Sequence, residues 1–374
     1  MKIKKVTARK ILNSKNQPTI EVIINNRFVG SAPAGTSAGK HEKKLYPPGG
    51  IKEAIKELKR IKGIIINEFE DLTILEEITK DIGANTTIAL EFAALKALSK
   101  NEVWKFLNPY ANKIPTPLGN VIGGGAHFKG KSADFQEFLL IPRTGHFFNA
   151  ALANELIHNR IKREFHATKK TYENAWVLPL STKETLEYLH NFLKDISLEL
   201  GFKVDLGLDV AASSFWKGHS YLYDNFSKEE PKKQLSQKEQ IDFINTIIRK
   251  YEIAYVEDPL QEDDFEGFSK IKGFTVGDDL ITTDIERLKK SDVSAVIVKP
   301  NQIGSLIKTK ELVDYAKNNN IIPVMSHRSG ETNDNTIAHL AVAWNIPYIK
   351  CGILGKERKA KINELIRIEQ EIKG

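Results

Sequence analysis

Cysteine is nearly absent: the 374 residues hold a single one, Cys351. No intrachain disulfide can form, which suits a reducing, intracellular compartment. Long apolar runs are missing too. No stretch approaches the roughly 18 consecutive apolar residues of a membrane span. The basic start MKIKKV is not followed by the apolar segment of a secretory signal. A soluble, cytoplasmic protein with no membrane partner is expected. Blocks of one charge are lacking as well. Lys and Arg outnumber Asp and Glu by 55 to 48, a net charge of +7. Yet the basic residues are interleaved with acidic ones, in short pairs such as Lys43-Lys44 and Lys232-Lys233. With no reader motif or aromatic-interleaved basic stretch, the charge reads as solvated surface, and no nucleic-acid partner is expected. No internal repeat or low-complexity segment occurs. What remains, 41% hydrophobic and 28% charged, is the balance of a globular protein. At roughly 150 residues per domain, the length fits two domains or one barrel with an addition.

Residues 6–32 read as a small antiparallel sheet. Ile20, Val22 and Ile24 alternate with polar neighbours, and Asn25-Asn26 is a turn signal before Arg27-Phe28-Val29. Ile51, Ala54, Ile55 and Leu58 have helical spacing. Asn85-Thr86-Thr87 offers N-cap chemistry for a helix carrying Ile88, Phe92, Leu95 and Leu98. Strands followed by helices predict an α+β domain over residues 1–115, ending near Lys113–Pro117. Residues 116–374 have a different rhythm. Short apolar runs (Val204–Leu208, Ile253–Val256, Phe274–Val276, Ala295–Val298, Ile321–Met325, Ile346–Ile349) alternate with helical stretches. With two less visible units between 118 and 200, parallel βα repeats would close a (β/α)8-type barrel, giving an α/β fold class overall.

Each apolar run ends on an ionisable residue: Asp209, Glu257, Asp278, Lys299, His327 (two past Met325) and Lys350. In a barrel the C-terminal ends of parallel strands share one mouth, where active sites are built. A single charge after a strand is ordinarily the start of a solvated loop, but a series of them in order is hard to explain that way. Carboxylates without cysteine ligands suit a hard cation such as Mg²⁺, which takes oxygen ligands and bridges to substrate phosphate or carboxylate. Zinc fits less well, because the histidines lack ligand spacing and Cys351 stands alone. Two lysines beside such a cluster have distinct uses. Desolvation and nearby cations can lower one to serve as a general base, while the other stays charged and binds an anion. Gly35–Lys40 is one residue too short for a phosphate-binding P-loop, and His41 stands where Ser or Thr is required.

Colinear motifs then identify a family. ARKILNSKNQPTIEV near the N-terminus, PAGTSAG (33–39), NVIGGGAH (120–127), QEF (136–138), LGLDVAAS, VEDPLQEDD, VGDDL, VKPNQIGS, SHRSGET, IKCG and RIEQE resemble enolase, the phosphopyruvate hydratase, nearly end to end. The resemblance implies a capping domain on a barrel and Mg²⁺ as cofactor, with two ions per site, the second arriving with substrate. Asp209, Glu257 and Asp278 would bind the first ion, and Ser37 on a lid loop the second. Lys299 would remove the proton next to the carboxylate of 2-phosphoglycerate. His127, Gln136, His327, Arg328, Ser329 and Lys350 would bind substrate, and Glu137 would belong to the acid machinery. The substrate class is a small phosphorylated carboxylic acid. The partner is a second copy of the chain, since Glu21 and Arg367 match a cross-subunit ion pair of the family's dimers. Cys351 stands where the family has threonine and reads as a local substitution.

The main departure lies at 171–179. Typical enolases read VGDEGGFAP there, with the Glu a catalytic acid; this chain reads TYENAWVLP. Anchored on Pro179, that Glu falls on Asn174, and Glu173 takes the place of the preceding Asp. A shift of one residue would put Glu173 in the site instead. Two glycines have become Ala175 and Trp176. Under the first alignment, restoring Glu at 174 should raise turnover. Two functions follow: Mg²⁺-dependent dehydration of 2-phosphoglycerate to phosphoenolpyruvate, or an enolase-like paralogue with reduced, altered or lost catalysis that still binds metal and metabolite.

Overall fold

A computed structural model describes residues 1–35 and 40–373. Ser37 lies outside the described residues. The chain opens with three antiparallel strands, β1 (Val6–Leu12), β2 (Pro18–Ile24) and β3 (Phe28–Ser31), paired in chain order. Ile20, Val22 and Ile24 form the buried face of β2. Asn25 and Asn26 turn the chain back with φ of 53° and 56°, a left-handed pair that asparagine tolerates better than most residues. Four helices follow: α1 (Gly50–Leu58), α2 (Leu72–Thr79), α3 (Ala84–Ser99) and α4 (Val103–Leu107).

Helix α3 is buried on nearly every side, including the polar residues of its first turn. Gly30 lets it close on β3: a Cβ there would lie 2.3 Å from the Ala89 carbonyl oxygen and 2.5 Å from the Ala93 nitrogen. The expected N-cap at Asn85-Thr86-Thr87 is corrected. The helix starts at Ala84 after Gly83, and no side chain caps it. Burial redirects the side chains of Asn85 and Thr87 to partners across the core. Asn85 Nδ2 donates to Tyr46 Oη (3.2 Å), and Thr87 Oγ1 donates to Thr79 Oγ1 (2.9 Å).

The remainder builds a closed barrel. In chain order it contains β4 (Thr116–Gly123), β5 (Glu137–Pro142), α5 (Phe147–Phe165), α6 (Thr182–Leu200), β6 (Val204–Asp209), a hairpin of β7 (Tyr221–Tyr223) and β8 (Lys233–Leu235), and α7 (Gln237–Lys250). Then come β9 (Tyr255–Glu257), α8 (Phe265–Phe268), β10 (Thr275–Gly277), α9 (Ile285–Leu288), β11 (Ala295–Val298), α10 (Pro300–Ile303), α11 (Leu306–Asn318), β12 (Ile322–Ser326), α12 (Thr336–Ala343), β13 (Tyr348–Lys350) and α13 (Lys356–Lys373). Around the barrel the order is β4-β5-β6-β9-β10-β11-β12-β13, with β13 returning to β4. The barrel is not made of uniform parallel units. The two units expected between 118 and 200 are a β4–β5 hairpin followed by α5 and α6, and β5 runs antiparallel to both neighbours. No crossover helix separates β4 from β5, so β5 has to run back.

Alternation along the strands places the site. Leu118, Leu139, Ile141, Tyr255, Val276, Ala295, Ile297 and Val324 fill the barrel interior. Val296, Val298 and Met325 belong to the larger core shared with the helices. Continuing the inward rows by two residues toward the mouth reaches Asn120, Glu137, Glu257, Asp278, Lys299 and Ser326, since successive side chains alternate faces. Because β5 is reversed, its first residue, Glu137, arrives at the same mouth as the last residues of the parallel strands. In register it faces Asp209, which in turn faces Glu257.

The N-terminal unit sits on this mouth. Ala34 exchanges two backbone hydrogen bonds of 2.8 Å with Gly330. Glu91 on α3 accepts from the Leu306 N–H at 3.0 Å.

Candidate active site

A cavity of about 70 Å³ opens where the inward rows end. Lys350 Nζ donates to Asp209 Oδ2 (2.7 Å) and Glu257 Oε1 (2.8 Å) and lies 3.4 Å from Glu137 Oε2. Burial opposes its charge, but these carboxylates hold the ammonium well above its usual pKa. Gln136 Nε2 donates to Asp209 Oδ2 (3.1 Å), and Tyr255 Oη to Glu257 Oε2 (2.7 Å). Lys299 Nζ is bonded to Asp278, whose Oδ1 accepts from Gln302 Nε2 at 3.2 Å. Burial works against the Lys299 charge, and Asp278 outweighs it, so the pKa is raised.

On the side of β4 and β5, two carboxyl groups meet two imidazoles. Glu173 lies 3.2 Å from His327 Nε2 and 4.0 Å from His127 Nδ1, and it accepts from Asn120 Nδ2 at 3.3 Å. Glu137 Oε1 is 3.7 Å from His127 Nδ1. Burial pushes both carboxyls up. For Glu137 the neighbouring Glu173 adds to the rise, leaving it well above the usual range. For Glu173 the imidazoles outweigh burial and hold it well below. Two adjacent carboxyls with pKa values driven apart are suited to acid and base work. Asn174 is not part of this group. Its backbone is left-handed (φ 66°), and its Nδ2 donates to the Leu354 carbonyl at 3.3 Å, away from the cavity. The structure therefore brings Glu173, and not Asn174, to the mouth.

Arg328 and Ser329 line the same cavity, beside His127. The Arg328 guanidinium is held by Glu42, at 2.9 and 3.0 Å to its two oxygens, and by Asn301 Oδ1 at 3.0 Å. Sequence reasoning missed several neighbours. Asp258 and Asp279 could have been noticed as the second acids of Glu257-Asp258 and Asp278-Asp279. Asn120 could have been noticed as the end of an inward row. Nothing in the sequence marks Glu42 or Asn301. Cys351, next to Lys350, is buried, and burial pushes its thiol up to about 12, far from a reactive thiolate.

The donor set fits a hard dication. With Arg328 neutralised by Glu42 and Glu173 set against His127 and His327, the described cations nearest the carboxyls of Glu137, Asp209, Glu257 and Asp278 are Lys299 and Lys350. Burial, then Asp209, pushes Glu257 up to about 8; burial, then Asp278, pushes Asp279 up to about 7. Such displaced carboxyls mark a site short of positive charge, and all-oxygen ligands match Mg²⁺ chemistry. Asp258, Asp278 and Asp279 are the closest acidic trio among the described residues. However, Asp258 already accepts the backbone N–H groups of Asp278 (3.0 Å) and Asp279 (2.7 Å). Its job is to shape the strand end. Asp209 and Glu257 end the adjacent strands β6 and β9, and Asp278 directly follows β10 beside them.

Fold and mouth together define a TIM-barrel enzyme whose active centre combines clustered carboxylates with two buried lysines. Residues 111–374 match the family model described as "Enolase, C-terminal TIM barrel domain". Proteins named enolase are similar over almost the whole chain. That of Methanosphaera stadtmanae is 39% identical over 99% of this chain and 97% of its own length. That of Methanothermobacter thermautotrophicus is 38% identical over 99% and 97%, and that of Pyrobaculum aerophilum 36% over 98% and 96%. The chain belongs to the enolase family, a family of lyases.

Proposed function

We propose that this chain dehydrates 2-phosphoglycerate to phosphoenolpyruvate with Mg²⁺, as a cytoplasmic enzyme of glycolysis and gluconeogenesis. One observation carries the reading. Lys299 follows β11 and Glu137 begins β5, four places apart in an eight-strand ring, so the two stand across the mouth from each other. The strands bearing Asp209, Glu257 and Asp278 form the arc between them. A base on one side and an acid on the other suit a reaction that takes a proton from one carbon and expels a hydroxyl from the next.

In this reading Arg328, Ser329 and Lys350 hold the substrate's anionic groups, with Gln136 and His127 completing the pocket. Lys299 Nζ takes the proton next to the carboxylate. Glu137, the carboxyl held well above the usual range, delivers a proton to the departing hydroxyl; Glu173, held ionised, is its proton-relay partner, and His327 keeps Glu173 in place. Bound Mg²⁺ supplies charge stabilisation for the negative charge that develops on the carboxylate, as in the enolase superfamily, where a Lys base serves. With Asp278 engaged as a ligand, burial together with Arg328 and Lys350 would dominate Lys299 and bring it toward the range of a base. A second ion at Ser37 remains part of the proposal. So does the division into a capping unit (1–115) and a barrel (116–374).

The paralogue reading drew its support from Asn174, and that support weakens with Glu173 at the mouth. The test is product formation from 2-phosphoglycerate and Mg²⁺, beside Lys299→Ala. Robust turnover that the variant loses supports the reading. No enol product at high enzyme concentration overturns it.

We also propose a homodimer. Within one chain Glu21 is bonded by Arg9 Nε at 2.5 Å and Arg367 by Glu364 at 2.6 Å, so a cross-subunit pair would require these to exchange. A monomeric mass by sedimentation at micromolar concentration would refute pairing.

A further inference from the structure

Behind the mouth, a short buried polar chain runs along the segment that carries Glu173. Trp176 Nε1 donates to His158 Nδ1 (3.1 Å) and to the His158 carbonyl (2.9 Å). His158, on α5, donates from Nε2 to the Asn174 carbonyl at 2.9 Å. These bonds demand one tautomer, with Nδ1 accepting and Nε2 protonated. Burial lowers the imidazole pKa to about 4, so that neutral form persists at neutral pH. Asn174 adds its own tie to the Leu354 carbonyl.

The backbone is fastened as well. Trp176 N donates to the Val121 carbonyl, and Gly123 N donates to the Trp176 carbonyl, both at 2.9 Å. The Thr171 N–H bonds the Ala175 carbonyl (2.9 Å), closing the turn that contains Glu173. The outer face of the indole is covered by Lys170 Nζ, 4.5 Å from the ring centroid. Every side chain in this set other than Glu173 stays off the cavity wall.

We infer that His158 and Trp176 form a clip that positions Glu173 for its proton transfer, doing with a rigid hydrogen-bonded pair what the glycine-containing loop of typical enolases does without one. Both are positioning residues, since neither reaches the cavity. A paired glycine segment would have to be ordered each time the acid is used, at an entropic cost. The buried indole and the imidazole hold the turn in one shape. Small displacements of a proton-transferring group matter, since about 1 Å of misplacement can cost on the order of 10²-fold in rate.

The inference rests on the dehydratase reading, and its test separates the two. Wild type, Trp176→Phe, His158→Ala and His158→Gln are compared with Mg²⁺ and 2-phosphoglycerate. Dehydration is measured, together with exchange of the substrate's C2 proton into deuterated water. Exchange reports Lys299, whereas dehydration also needs Glu173. Trp176→Phe and His158→Ala should lower the kcat for dehydration about tenfold to a hundredfold. KM should stay within about twofold and C2 exchange should be kept, because binding and proton abstraction do not use the clip. His158→Gln can donate and accept in place of the imidazole and should recover most of the loss. If dehydration is unchanged, or falls only in step with exchange or through KM, the clip is overturned. Should Trp176→Phe fail to fold, the His158→Ala and His158→Gln pair decides by the same criteria. A wild type that neither exchanges nor dehydrates overturns the dehydratase reading, and the clip's purpose with it.

Discussion

Glu173 and Asn174 are consecutive in the chain and point to opposite sides of one turn. Glu173 lies 3.2 Å from His327 Nε2 inside the barrel mouth, while Asn174 gives its amide to the Leu354 carbonyl outside it. The left-handed backbone at Asn174 separates the two directions. An alignment anchored on Pro179 places the acid at 174, and the geometry places a carboxyl at 173.

Glu173→Gln is therefore expected to reduce kcat by about 10²–10⁴-fold, the range for losing a positioned acid–base group. Asn174→Glu should not raise turnover. It should lose stability on the order of 1 kcal/mol, because Glu tolerates the left-handed region less well than Asn. Steady-state kinetics and a denaturant midpoint on both variants decide this. A gain in rate from Asn174→Glu would restore the alignment that makes 174 the acid.

Lys350 is the cation that holds Asp209, Glu257 and Glu137 together. Lys350→Met should destabilise the metal-free protein by about 3–5 kcal/mol, since it leaves buried carboxylates without a partner. Mg²⁺ should raise the Tm of both proteins over chelator-treated samples, and by more in the variant, where the ion meets unneutralised ligands. If Mg²⁺ moves neither Tm, the carboxylate arc is not a metal site.

His158 makes stability depend on pH. Its folded pKa is about 4 against an ordinary 6.5. Between those values the unfolded chain binds more protons, so stability rises with pH and levels off above about 6.5. The contribution lost on acidification through this window is on the order of 3 kcal/mol. His158→Gln should flatten the slope of urea-unfolding free energy between pH 4 and 6.5 relative to wild type. An unaltered slope would mean that the imidazole titrates normally.

Gly30 sets how closely α3 approaches β3. Gly30→Ala would place a methyl group 2.3 Å from the Ala89 carbonyl oxygen, where backbone rather than a flexible side chain must yield. A loss of about 1–3 kcal/mol is expected from such overpacking, read as a lower denaturant midpoint. A neutral result would show that helix and sheet can separate without cost.

Much of this molecule was legible before folding. Asp209, Glu257, Asp278, Lys299 and Lys350 follow apolar runs whose alternation already points them inward, because a strand's side chains change face at every residue. The single cysteine leaves no intrachain disulfide to form, and the ordered motifs indicated the family. Three features were settled only by contacts between distant parts of the chain. The direction of β5, which brings Glu137 to the mouth, follows from its hairpin with β4 and is completed by its pairing with β6. The start of α3 depends on Tyr46 and Thr79, which take the polar groups that would otherwise cap it. The choice of Glu173 over Asn174 depends on His158, 16 residues away, and Leu354, 180 residues away. Local sequence determines which face a side chain takes within its own element. It does not determine which way an element runs, or which of two neighbouring residues a turn sends inward, because those follow from partners that only the closed barrel brings together.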